Sequence, residues 1–155
     1  MKVLIINGPN LSRLDLRDSS FYGKLSYPQL VDLIATHATK LGFTADIRQS
    51  DDEAQIIAWL HEAADAKLPV IINPAAFTHY SYAIRDAAEL VRAPLIEVHL
   101  SNPLSREEFR HTSVISGVAS GTIAGFGPNS YVLALEALRN LLHNQTDEKP
   151  RLMKN

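Results

Sequence analysis

The chain has 155 residues, 46% hydrophobic and 21% charged, with a formal charge of −2 at pH 7 and no cysteine. One domain of this size buries roughly 70% of its unfolded surface, and the composition is that of a soluble globular protein without disulfide or thiolate chemistry. The charge balance, with no basic run or basic-aromatic stripe, argues against a nucleic-acid surface, and no apolar stretch approaches membrane-spanning length.

KVLIIN (2–7) predicts the first strand. It breaks at a Gly-Pro turn, too early for a signal peptide's apolar region, so a cytoplasmic location is expected. Residues 7–23, NGPNLSRLDLRDSSFYG, then read as a long polar loop with little to build a core. Such loops in compact domains are usually lids or disordered segments. Leu30, Leu33, Ile34, His37, Ala38 and Leu41 recur at helical spacing behind Ser26-Tyr27-Pro28-Gln29, which fits a capping box. FTADIRQ (43–49) predicts the second strand, and Ser50-Asp51-Asp52-Glu53 repeats the capping logic before a helix carrying Ile56, Trp59, Leu60 and Ala63. PVIIN (69–73) is the third strand, followed by a helix over Tyr80–Val91, and PLIEVHL (94–100) is the fourth. Ser105-Arg106-Glu107-Glu108 caps a shorter helix, GTIAGFG (121–127) is the fifth strand, and Ser130–Leu142 is the last helix. NQTDEKPRLMKN (144–155) lacks periodicity and reads as a mobile tail behind a single domain over 1–143.

Strands alternating with helices, several of them continuously apolar, predict an α/β fold: a flavodoxin-like, doubly wound five-stranded parallel sheet of order 2-1-3-4-5. Ligands bind such sheets beyond the carboxyl ends of the strands. Those ends carry Asn7 and Asn10, then Asn73 and His79, then Glu97, His99, Ser101 and Asn102. Glu97 and His99 are two apart and project to one side of their strand, where a carboxylate can orient the ring and favour its protonated form. That suits a general acid, against the plainer reading of a structural pair. Arg17 and Tyr22 lie five apart on the long loop. A nearby guanidinium stabilises a phenolate, so a closing loop could deliver a base, although a solvated arginine and a packed tyrosine fit the sequence equally well.

Other chemistries have weaker support. Ser101, His99 and Asp86 hold triad ingredients without a nucleophile elbow. His79 and His99 lack a metal-binding spacing, and Gly121, Gly125 and Gly127 do not form a phosphate loop. Lys24 is a poor Schiff-base lysine, His37 and His61 sit in amphipathic helices, and His111 and His143 carry no local signal.

The sequence closely resembles the type II 3-dehydroquinate dehydratases through about residue 140. The resemblance rests on NGPNL (7–11), R-x4-YG (17–23), QSDDEA (49–54), INPAAFTHYSYAIRDA (72–87), EVHLSN (97–102), REEFRHTS (106–113) and G-x-G-x-x-x-Y (125–131). It implies the flavodoxin-like fold and dehydration of 3-dehydroquinate to 3-dehydroshikimate without cofactor, metal or Schiff base. It also implies trimers that associate into a dodecamer. By position, Tyr22 would remove the C2 proton with Arg17 holding it as phenolate, and Asn10 would position a water on the enolate oxygen. His99 would protonate the departing C1 hydroxyl, with Glu97 as its partner. Asn73, His79 and Arg110 would hold the substrate's hydroxyl and carboxylate groups, Leu100 and Ser101 would add contacts, and Asp86 would reach a neighbouring subunit's site.

The chain departs from the family pattern at Asp15, Asp18 and Ser19 in the lid and at Ala75, where the family usually has glycine. These departures motivate an alternative, a catalytically impaired paralogue that binds a quinate-like acid. A flavodoxin-like FMN or phosphate binder is a third reading, and it lacks a phosphate-cradling loop.

Overall fold

The computed structural model describes residues 1–22 and 24–147. Gly23, the end of the R-x4-YG motif, and residues 148–155 of the expected tail lie outside the described residues.

In chain order the elements are β1 (Lys2–Asn7), α1 (Ser19–Tyr22), α2 (Tyr27–Lys40), β2 (Thr44–Gln49), α3 (Glu53–Ala66), β3 (Val70–Asn73), α4 (Tyr82–Glu89), β4 (Leu95–His99), β5 (Gly121–Ala124) and α5 (Asn129–Asp147). The strands form one parallel sheet in the order β2-β1-β3-β4-β5, as the alternation of patterns predicts. Successive residues of β1 serve opposite faces. Val3 and Ile5 pack with Leu30 and Ile34 of α2 and with Tyr131, Leu135 and Leu138 of α5. Leu4 and Ile6 pack with Ile56 and Leu60 of α3 and with Ile84 and Ala87 of α4. Each fully buried Leu or Ile contributes about 1.5–3 kcal/mol of transfer free energy, so the two layers anchor β1, β3 and β4 firmly.

The helix starts follow their side chains. Ser26 and Gln29 form the reciprocal capping box, with Ser26 accepting the Gln29 amide and Gln29 accepting that of Ser26. Asp52 accepts the Ala54 amide at the start of α3, and Ser81 accepts that of Ile84 at the start of α4.

Four expectations need correction. Residues 11–22 are not a polar loop: Leu11–Leu16 is a 3-10 segment that buries Leu11 and Leu14 in the core, and α1 buries Tyr22. Asp18 starts α1 by accepting the Ser20 amide at 2.9 Å. Ser105–Glu108 caps no helix, because Pro103–Ser105 and Glu108–Arg110 are separate 3-10 turns and the Ser105 hydroxyl donates to the Asn102 carbonyl at 2.8 Å. Leu33 lies at the edge of the apolar face of α2 and is 36% exposed. Finally, α5 continues past Leu142 to Asp147, into the segment read as tail.

Candidate active site

Asn7, Asn73 and His99 end β1, β3 and β4, and Asn7 pairs in register with Asn73. Gly8 lets the turns beyond β1 and β3 touch. Its amide donates to the Asn73 carbonyl at 2.8 Å, and a Cβ at this position would lie 2.6 Å from the Pro74 carbonyl oxygen. Asn10 (φ 67°) and Ala75 (φ 51°) both adopt the left-handed conformation. Beneath them the Tyr131 hydroxyl donates to Asn7 Oδ1 at 2.5 Å and accepts from Asn73 Nδ2 at 3.0 Å. Burial pushes the Tyr131 hydroxyl far above its usual range, so it stays a neutral donor. Asn73 Oδ1 accepts the Ala75 amide at 3.1 Å, so both ends of that side chain are fixed.

A cavity of about 140 Å³ opens above these turns, lined among others by Asn10, Arg17, Tyr22, Asn73, Ala75, His79, His99, Leu100, Ser101, Arg106 and Arg110. The Tyr22 phenolic oxygen accepts hydrogen bonds from Arg17 Nη2 and from Arg106 Nη1. The Arg17 guanidinium also lies 3.9 Å from the centre of the Tyr22 ring. Two cationic donors on one phenolic oxygen stabilise negative charge there. The Arg106 side chain is only 9% exposed and stacks 4.7 Å over Phe21, with its Nε lacking a hydrogen-bond partner and the Glu107 carboxylate 3.7 Å away. Glu107 accepts instead from Arg110 Nε at 2.7 Å. Burial, followed by repulsion from Arg106 and Arg110, pulls the Arg17 pKa down against the attraction of Tyr22. Arg17, Arg106 and Arg110 all line the cavity and no carboxylate does, which suits an anionic ligand.

Glu97 is fully buried and receives His99 Nε2 at 2.7 Å. Because a carboxylate only accepts, Nε2 carries the proton of that bond, and Nδ1 is the ring nitrogen left for other partners. Burial alone would push the Glu97 carboxyl up, but hydrogen bonds from His99, Thr78 and Ser116 hold it below the usual carboxylate range. His79 donates Nδ1–H to the Thr112 carbonyl at 2.8 Å. Its pKa is pulled down, mainly by burial, so it presents a neutral ring.

The structure thus brings Asn10, Arg17, Tyr22, Asn73, His79, His99, Leu100, Ser101 and Arg110 to one cavity, with Glu97 behind His99. Asp86 does not join them: it is exposed on α4, and the part expected of it lies in another subunit's site. The Ser101, His99 and Asp86 ingredients therefore form no triad. Among the described residues no group of three or more His, Cys, Asp or Glu side chains is arranged to hold a metal ion, and no helix is long and apolar enough to cross a membrane. Sequence reasoning missed Arg106 and the bridging Tyr131. Arg106 stands four residues before Arg110, and that R-x3-R spacing was the available signal.

The family description "Dehydroquinase class II" matches residues 1–139. The 3-dehydroquinate dehydratase of Salinispora tropica is 53% identical over 138 residues, covering 89% of this chain and 96% of that protein. The 3-dehydroquinate dehydratase of Mycobacterium tuberculosis is 52% identical, covering 88% and 92%. Among solved structures, the type II dehydroquinase of Propionibacterium acnes superposes with a TM-score of 0.87 at 46% identity, covering 90% of this chain and 96% of that one.

Proposed function

This chain belongs to the class II dehydroquinase family, and from that premise we propose that it eliminates water from 3-dehydroquinate through an enolate, giving 3-dehydroshikimate. The observation that carries this reading is the pair of guanidiniums on Tyr22 in the cavity that also holds His99. Tyr22, as phenolate, takes the proton at C2 beside the ketone, and the electron pair moves onto the carbonyl oxygen. An enolate is costly without fixed donors, and Asn10 positions a water on that oxygen. The enolate then collapses, the bond to the C1 hydroxyl breaks, and His99 gives that oxygen a proton so that it leaves as water. Tyr22 ends protonated and His99 neutral, and exchange with solvent restores both. Asn73, His79 and Arg110 hold the hydroxyl and carboxylate groups, with Leu100 and Ser101 alongside.

The elimination is anti, since the base arrives on the lid and the acid on the sheet. The enzyme serves the shikimate route or quinate breakdown in the cytoplasm. It works as trimers that assemble into a dodecamer, in which Asp86 meets the site of the adjacent copy. The test is to mix the purified chain with 3-dehydroquinate, with and without borohydride, and follow the absorbance of the conjugated enone. Enone formation that survives borohydride supports the enolate route. No enone from folded protein, or loss of activity on borohydride treatment with substrate, overturns it.

A further inference from the structure

Four side chains donate to the Glu97 carboxylate. Thr78 Oγ1 and His99 Nε2 meet Oε1, Ser116 Oγ meets Oε2 at 2.7 Å, and Ser113 Oγ reaches both oxygens at 2.9 and 3.1 Å. Ser113 has little choice in this. Its oxygen already accepts the backbone amides of Ile115 at 3.1 Å and Ser116 at 3.0 Å, so its single proton points outward to the carboxylate. The segment that carries it is stitched down by the Val114 amide on the Thr78 carbonyl at 2.8 Å.

A carboxylate buried this fully would otherwise capture a proton, because desolvation disfavours its charged form. The His99 Nε2–H bond to Glu97 at 2.7 Å needs an ionised acceptor, so a proton captured by Glu97 would break it. We propose that Thr78, Ser113 and Ser116 are positioning residues for the proton donor: their hydroxyls saturate both oxygens of Glu97 and so keep it ionised as the acceptor of His99 Nε2–H, which leaves Nδ1 to serve the leaving hydroxyl. This rests on the reading of His99 as the group that protonates the leaving hydroxyl. The charged and titratable groups around the pair are His79 beside Thr78, Arg106, Arg110 and His111 on the turns after β4, and Arg17 and Tyr22 of the lid. None donates a hydrogen bond to Glu97.

Thr78→Val removes one hydroxyl at nearly constant shape, and Ser116→Ala removes another; both spare the amides that Ser113 accepts. Infrared difference spectra near neutral pH read the protonated-carboxyl stretch of Glu97, assigned by its loss in Glu97→Gln backgrounds. The band is expected to be absent in the unaltered enzyme and present in both variants, with kcat lower by about tenfold, KM little changed, and Thr78→Ser restoring both. If the band is absent from both variants, the inference is overturned, whether or not turnover falls. If the band appears while the kcat–pH profile superimposes on that of the unaltered enzyme, the hydroxyl cage stands and His99 is not the proton donor.

Discussion

Two clusters of charge sit on this sheet, and they differ in what is left over. On β2, Arg48 forms paired bonds to Asp46 at 3.0 and 2.6 Å and to Glu62 at 2.6 and 2.8 Å, while Lys2 adds a contact to Asp46 at 2.9 Å. Two cations meet two carboxylates, and the cluster is complete in itself. Beyond β4, Arg17 and Arg106 converge on the Tyr22 hydroxyl, Arg110 lines the same cavity, no carboxylate lines it, and Arg106 Nε is left without a hydrogen-bond partner. Buried surplus charge costs stability unless an anion arrives. The first arrangement therefore reads as architecture, and the second has the surplus charge that the proposed substrate and phenolate would use.

The comparison can be broken most severely at Tyr22. Tyr22→Phe keeps the ring and removes the oxygen on which the two guanidiniums converge; kcat is expected to fall by about 10²–10⁴-fold in a steady-state assay, with melting little changed. Arg106→Gln tests whether the missed arginine matters as much as Arg17. A loss of about 10²-fold in kcat is expected, the scale of removing one donor from a developing charge, and an unchanged kcat would return Arg106 to packing. A smaller effect sharpens the contrast, because the site holds backbone strain as well as charge. Ala75 sits at φ 51°, where a Cβ costs about 1–2 kcal/mol. Ala75→Gly relieves that cost but adds unfolded-state entropy of about 0.5–1 kcal/mol, so denaturant titration should show a gain between about 0 and 1.5 kcal/mol.

The half-buried cluster on β2 should respond least. Arg48 holds the Asp46 carboxyl down to about 2, below its ordinary 3.8. Its contribution is thus complete above about pH 4 and disappears as pH falls toward about 2. Solvent screening limits the effect of Asp46→Asn to under about 1 kcal/mol, and turnover should not change. Thermal melts across that pH range should show the two proteins converging at the acid end. A gap that persists at the acid end would mean that the pair is not the source.

Much of the fold was legible because its signals are local. Apolar runs bounded by Gly, Pro and Asn marked all five strands, and Ser26 with Gln29 marked the start of α2 within four residues. The same local logic misled at Ser105–Glu108, where the hydroxyl turned back to the Asn102 carbonyl and Pro103 favoured a tight turn. It also misled in the lid, because two leucines four or fewer positions apart are enough to bury a short 3-10 segment in a polar stretch. The residues of the cavity could be gathered from strand ends, since the topology brings those ends together. What could not be read was pairing at long range. Arg106 meets Tyr22 across 84 positions, Tyr131 meets Asn7 across 124, and Ser116 meets Glu97 across 19, and no periodicity announces such contacts. Ala75 lies between: the departure from glycine was visible in the sequence, and its positive φ only in the structure.

The central claim is that a base on the lid and an acid at the end of β4 act on opposite faces of the substrate. It is tested most directly with 3-dehydroquinate carrying deuterium at one defined C2 position, followed by mass analysis of the 3-dehydroshikimate formed. The account predicts complete loss of deuterium placed anti to the C1 hydroxyl and complete retention of deuterium placed syn. Loss of the syn deuterium would contradict it, because one face would then supply both the base and the departure of water.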